Sequence, residues 1–310
     1  MQIILEKIII SAILSLIYQV KWSFTVGTLF FRNGKVRDIP ADVLWIGNEF
    51  WQAAVSLYGG QLLQAVHRSS GKDVIYLGEK AVFSSGNSIR GGVPVCWPWF
   101  GASAVEGRPI QGFARTARWE SVLAGKDFIR LKLPCSAVPA ELVDFPFELF
   151  SETTVGESLE VALTMKNCSP EPVEISCALH TYLAVSDCEK ITVNGVENTP
   201  FTIKGGPEQP AEKEPLKIQG EICRLYFPQT SEIVLTDTEW GRKISIVKEN
   251  SRSTLIWNPG AERCRQIADL EQEEFHNFVC VECNRAGADT LLLMPGTEYR
   301  ITQKINVGSL

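Results

Sequence analysis

Residues Ser88–Glu120 read SIRGGVPVCWPWFGASAVEGRPIQGFARTARWE. Glycine and proline recur too often here for a helix, and the pattern is too irregular for one strand. Two readings are open. In the first, the stretch is a Gly/Pro-rich corner of a β fold whose tryptophans lie in the core. In the second, it meets a ligand. Gly91 and Gly92 free the backbone for close approach, and Arg90 before them offers a fork for phosphate or carboxylate. Trp97, Trp99 and Phe100 supply flat walls on which a sugar ring can rest. An anion beside a flat polar ring suggests a sugar phosphate.

Outward from this stretch, the chain reads as mainly β from residue 44 onward. Ser158–Met165, Val173–Val185, Thr254–Trp257 and Tyr299–Val307 alternate or are β-branched, with turn residues between them. Gly59-Gly60, Asn194-Gly195 and Pro259-Gly260 punctuate as turns. Helical periodicity is confined to the N-terminal run and to Glu262–Glu274. Many closely spaced strands predict an all-β antiparallel sandwich or barrel-like architecture. A chain of 310 residues admits one large β domain or two ordinary ones. No linker divides the middle, and the polar stretch Gly205–Lys217 reads as a surface loop. The expected division is residues 1–40, an apolar segment with helical character, and residues 41–310, a single β-sandwich domain.

A net charge of −6 with no basic block argues against a nucleic-acid partner. The nine cysteines are odd in number, and several sit in apolar runs, so they read as buried thiols in a cytoplasmic protein. Cys280 and Cys283 have CxxC spacing, but on a strand that spacing sends them to opposite faces. With only three scattered histidines, a zinc site is not expected. The greasy run Ile8–Val20 falls short of the roughly 20 residues needed to cross a bilayer. It has the length of a signal h-region but lacks a cleavage site. A signal or anchor within residues 1–20 therefore stands as the alternative to a packed N-terminal helix, and the cysteine usage favours the helix.

Two segments carry candidate chemistry. On a strand Val173–Val185, the residues Val173, Ile175, Cys177, Leu179, Leu183 and Val185 would face the core. Ser176, Ala178, His180 and Tyr182 would face the other way, towards a cleft. Phe278–Cys283 (FVCVEC) is an apolar run broken by Glu282. A carboxylate in such a run is costly unless paired or functional, and desolvation would lift its pKa above about 4.3. Pairing with Arg265 is the structural explanation; a general base is the functional one.

With these segments, the chain resembles the hexose-6-phosphate mutarotases (glucose-6-phosphate 1-epimerases) of the aldose 1-epimerase superfamily. The resemblance rests on Ile89–Gly101 (IRGGVPVCWPWFG), Gly112–Arg115 (GFAR) with Trp119, Ala178–Leu183 (ALHTYL), Ile256–Gly260 (IWNPG) and Phe278–Glu282 (FVCVE). It implies a galactose-mutarotase-type sandwich with a concave active-site face. It also implies interconversion of hexose 6-phosphate anomers, glucose 6-phosphate favoured, by a monomer with no metal or organic cofactor. His180 would be the general acid and Glu282 the general base, astride the sugar ring, while Arg90 and Arg115 hold the phosphate. Gln111, Trp257 and Cys223 would contact the sugar. Gln111 stands where the family usually has histidine, and Cys223 where it commonly has aspartate. These departures keep two alternatives open: a weak or inactive sugar-phosphate-binding module, and a mutarotase for unphosphorylated aldoses. The greasy N-terminus keeps a third, an exported carbohydrate-binding sandwich.

Overall fold

A computed structural model describes residues 25–30 and 36–310, with side chains from residue 42 onward. Two large antiparallel sheets, of thirteen and nine strands, enclose one extended apolar core. The nine-stranded sheet is built around Glu298–Ser309, flanked by Arg242–Glu249 and Leu159–Asn167. The centre of the larger sheet runs Leu62–His67, Lys72–Ile75, Tyr182–Ala184, Phe278–Arg285, Ser253–Asn258 and Ile222–Tyr226. The sandwich expected from strand spacing is therefore the fold.

Phe278–Arg285 shows how the pleat sorts its residues. Val279, Val281 and Cys283 point between the sheets, where Cys283 Sγ donates to Thr302 O of the second sheet at 3.7 Å. Alternation then turns Cys280, Glu282 and Asn284 to the opposite face. Antiparallel register extends that face sideways, pairing Cys280 with Tyr182 and with Trp257, and Trp257 with Cys223.

Several local expectations change. Val173–Val185 is three short strands, Val173–Ile175, Cys177–Leu179 and Tyr182–Ala184. The face assignment survives, but the chain breaks at His180–Thr181 because its neighbour changes. Cys177–Leu179 pairs with Val95–Cys96, whereas Tyr182–Ala184 pairs with Lys72–Ile75. Glu262–Glu274 is not one helix; a single turn, Gly260–Cys264, is followed by turns and the 3-10 segment Glu274–Asn277. The Gly205–Lys217 loop contains two-residue strands, Glu208–Gln209 and Leu216–Lys217, which join different sheets. Residue 40, where the sequence suggested a boundary, lies within strand Val36–Gly47. The apolar run Ile8–Val20 lies outside the described residues. Among those described, no helix is long and apolar enough to cross a membrane.

Candidate active site

The Ser88–Glu120 segment is in large part the Gly/Pro-rich corner of the β fold with tryptophans in the core. Trp97 and Trp119 are fully buried, Trp97 packing against Phe147 at a ring distance of 4.6 Å. They are core, so the expectation that Trp97 lines a sugar site is corrected. Trp99 is half-buried, with its Nε1 donating to Pro109 O at 2.9 Å and Arg108 above its ring. Gly91 and Gly92 have φ of 99° and 74°. A Cβ on Gly91 would lie 2.6 Å from Tyr76 O, and one on Gly92 2.4 Å from Leu62 O. Their freedom serves close approach to neighbouring backbone rather than to a ligand, and it sets Arg90 at the edge of the sheet face.

His180 and Glu282 meet on that face. Nε2 lies 3.2 Å from Oε1, with Glu282 fully buried and His180 9% exposed. No hydrogen bond joins the two, and Oε1 has no partner; nor has Nδ1, the other nitrogen of the His180 ring. Glu282 does not pair with Arg265, which is exposed; its second oxygen, Oε2, accepts from Asn284 Nδ2 at 3.1 Å. Asn284 Oδ1 in turn accepts from Leu255 N at 3.1 Å, which fixes which end of the amide faces the carboxyl. Asn284 was not singled out from sequence, although two-residue spacing from Glu282 on a strand was signal enough.

Burial pushes the Glu282 carboxyl up to about 8, against the opposing pull of the Asn284 hydrogen bond and the Arg115 charge. Burial, helped by the charges of Arg115 and Arg90, pushes the His180 imidazole down to about 3. Between those limits the pair holds one proton, favoured on the carboxyl, and it titrates as a unit.

The arginines converge on the pair. Arg90 donates through Nε and Nη2 to Asp269 Oδ1, at 3.2 and 3.0 Å, and through Nη1 to Tyr182 Oη at 3.1 Å. The Tyr182 ring stacks on the His180 imidazole at 5.0 Å and 13°. Trp257 stands edge-on to both rings, 6.0 Å away, and is half-buried. Arg115 sits in the 3-10 turn Ala114–Thr116 and donates from Nη2 to Ile110 O at 3.1 Å, while its Nε is buried without a partner. Cys223 shares the pleat row of Trp257, and burial, then the Glu282 charge, raises its thiol pKa. Gln111 is engaged elsewhere: its Oε1 accepts from Gly101 N at 2.8 Å, and it holds a φ of 65°. It ties the 101–111 loop shut. A cavity of about 450 Å³ lies beyond Cys223, lined by Ile203, Glu212, Lys217, Glu221 and Arg224 among others. Neither His180 nor Glu282 nor either site arginine lines it.

An antiparallel sandwich carrying a buried carboxyl–imidazole couple on an outward sheet face suits acid–base isomerisation. Comparison with known proteins agrees. The aldose 1-epimerase family profile matches residues 42–306, and the chain belongs to that family. A Cenchrus ciliaris protein named "putative glucose-6-phosphate 1-epimerase" is 27% identical over 263 residues, 80% of this chain and 79% of its own. An Escherichia coli K12 protein of the same name is 28% identical over 246 residues, 78% of this chain and 82% of its own. In fold, a Salmonella typhimurium crystal structure titled a "putative mutarotase" superimposes with a TM-score of 0.81 at 23% identity. That match covers 96% of this chain and 100% of the other.

Proposed function

We propose that this epimerase interconverts the α and β anomers of a hexose 6-phosphate, glucose 6-phosphate foremost, with Glu282 as general base and His180 as general acid. The observation that carries the chemistry is the 3.2 Å approach of Nε2 to Oε1, with Oε1 unpartnered. Ring opening takes the proton from O1 and gives one to O5. Both oxygens are bonded to C1, so they suit a donor and acceptor side by side. A sugar ring does not fit between atoms 3.2 Å apart, so the substrate lies against the couple rather than within it. This replaces the astride arrangement.

The couple's single proton must sit on His180 for these roles. The charges of Arg90 and Arg115 oppose the imidazolium. A phosphate held by the two arginines would offset them at His180, but it would also offset the Arg115 charge that favours an ionised Glu282. Polar groups of the bound sugar must therefore relieve the desolvation that dominates both shifts before the proton moves to His180. Rotation about C1–C2 and reclosure reverse both transfers. The nine thiols, all free, fit a cytosolic setting for such an enzyme.

Saturation-transfer NMR on glucose 6-phosphate tests this. Anomer exchange well above the buffer rate is expected, and Arg115→Ala should raise KM more than it lowers kcat. Binding without accelerated exchange would mean a sugar-phosphate module instead. An unchanged KM in Arg115→Ala would remove the phosphate from the reading.

A further inference from the structure

Arg90 has five N–H donors. Two, on Nε and Nη2, are committed to Asp269 Oδ1, and one on Nη1 to Tyr182 Oη. One donor remains on each terminal nitrogen, a two-pronged set of the kind that grips a phosphate. We propose that Asp269 is a positioning residue for substrate binding: it clamps one edge of the Arg90 guanidinium so that the remaining donors face the substrate's anionic group. This inference rests on the hexose 6-phosphate reading.

The support for Asp269 is itself rigid. Leu270 beside it is buried in the core, and its N–H donates to Ile267 O at 3.2 Å. The next residue, Glu271, accepts at its carbonyl from Cys264 Sγ at 3.2 Å and donates its N–H to Glu274 Oε2 at 2.6 Å. Glu274 is buried, and its other oxygen accepts from Tyr76 Oη at 2.5 Å and Glu79 N at 2.8 Å. Lys80 pairs with the Glu271 carboxylate at 3.1 Å. The turn carrying Asp269 is thus tied to the segment preceding Arg90, and Asp269 is one-fifth exposed, as Arg90 is. A carboxylate so held fixes a long side chain that would otherwise sample many rotamers.

Asp269→Ala should raise KM for glucose 6-phosphate about tenfold, the scale of one hydrogen bond to a charged group. The kcat should stay within about threefold, because the reacting couple is untouched. Inorganic phosphate, used as a competing inhibitor, should weaken in step. Asp269→Asn keeps the Oδ1 acceptor and should restore KM to within about threefold of the parent. Asp269→Ser, too short to reach Arg90, carries the expectation of the alanine variant if that protein does not fold. The proposal is overturned if KM is unchanged in Asp269→Ala, if kcat falls as far as KM rises, or if asparagine fails to rescue. Measured beside Arg115→Ala, the two levels separate. A raised KM there with a flat Asp269→Ala defeats this inference alone, whereas no effect in either defeats the phosphate reading and this with it.

Discussion

Glu282 is held by one neighbour on its own strand, and that neighbour selects which oxygen can react. Asn284 occupies Oε2, leaving Oε1 towards His180. General acid–base groups contribute roughly 10²–10⁴ in rate, so Glu282→Gln and His180→Ala should each slow anomer exchange at least about a hundredfold. Near-parental exchange in Glu282→Gln would take the base role from it. Asn284→Ala removes a donor that favours the ionised carboxyl, so the pKa of the couple's last proton rises. The alkaline limb of kcat/KM should therefore move upward, after subtraction of the buffer rate. A limb that stays in place would show Asn284 to be mere packing. Gln111 also closes a loop through Oε1, and its neighbours in sequence gave no hint that Gly101 would be its partner.

Among the elements, what was legible depended on whether a pattern is local. The period-2 face of the 173–185 segment was readable because alternation survives even where a strand is interrupted, and so His180 and Tyr182 were placed correctly. The interruption itself depends on which distant strand lies alongside, Val95–Cys96 or Lys72–Ile75, and nothing near His180 encodes that. Asp269 was invisible for the same reason: it reaches Arg90 across 179 residues of sequence from a turn with no period. The tryptophans divide along the same line. Trp97, ringed by Phe113, Phe145 and Phe147, is structural, and Trp97→Ala should destabilise by about 3–5 kcal/mol. Trp257 stands on the site face, so Trp257→Ala should lower stability less and raise KM more. Denaturant unfolding beside kinetics checks this, and the reverse pattern would mean Trp257 is the core residue.

Across the whole molecule, the couple leaves a mark on stability that does not depend on any substrate. Burial holds the Glu282 carboxyl at about 8 in the fold, against 4.5 for a free side chain. As pH rises through that window, the unfolded chain loses a proton that the folded chain keeps. The Glu282 contribution to stability is fully present below about 4.5 and declines towards about 8, by about 1.4 kcal/mol per pH unit. His180 acts in the other direction, over a window that overlaps the first between about 4.5 and 6.5. Held at about 3 instead of 6.5, it subtracts stability as pH falls between those values. Glu282→Gln cancels only the first contribution, so subtracting the parent's unfolding free energy from the variant's isolates it. That difference should be smallest near pH 4.5, grow steadily towards pH 8 and level off above it. A difference that stays flat from pH 5 to 8 would mean that the carboxyl ionises in the fold as readily as in water. The same penalty makes the residue a base: a carboxylate that the sheet face destabilises is one that takes a proton from O1 readily.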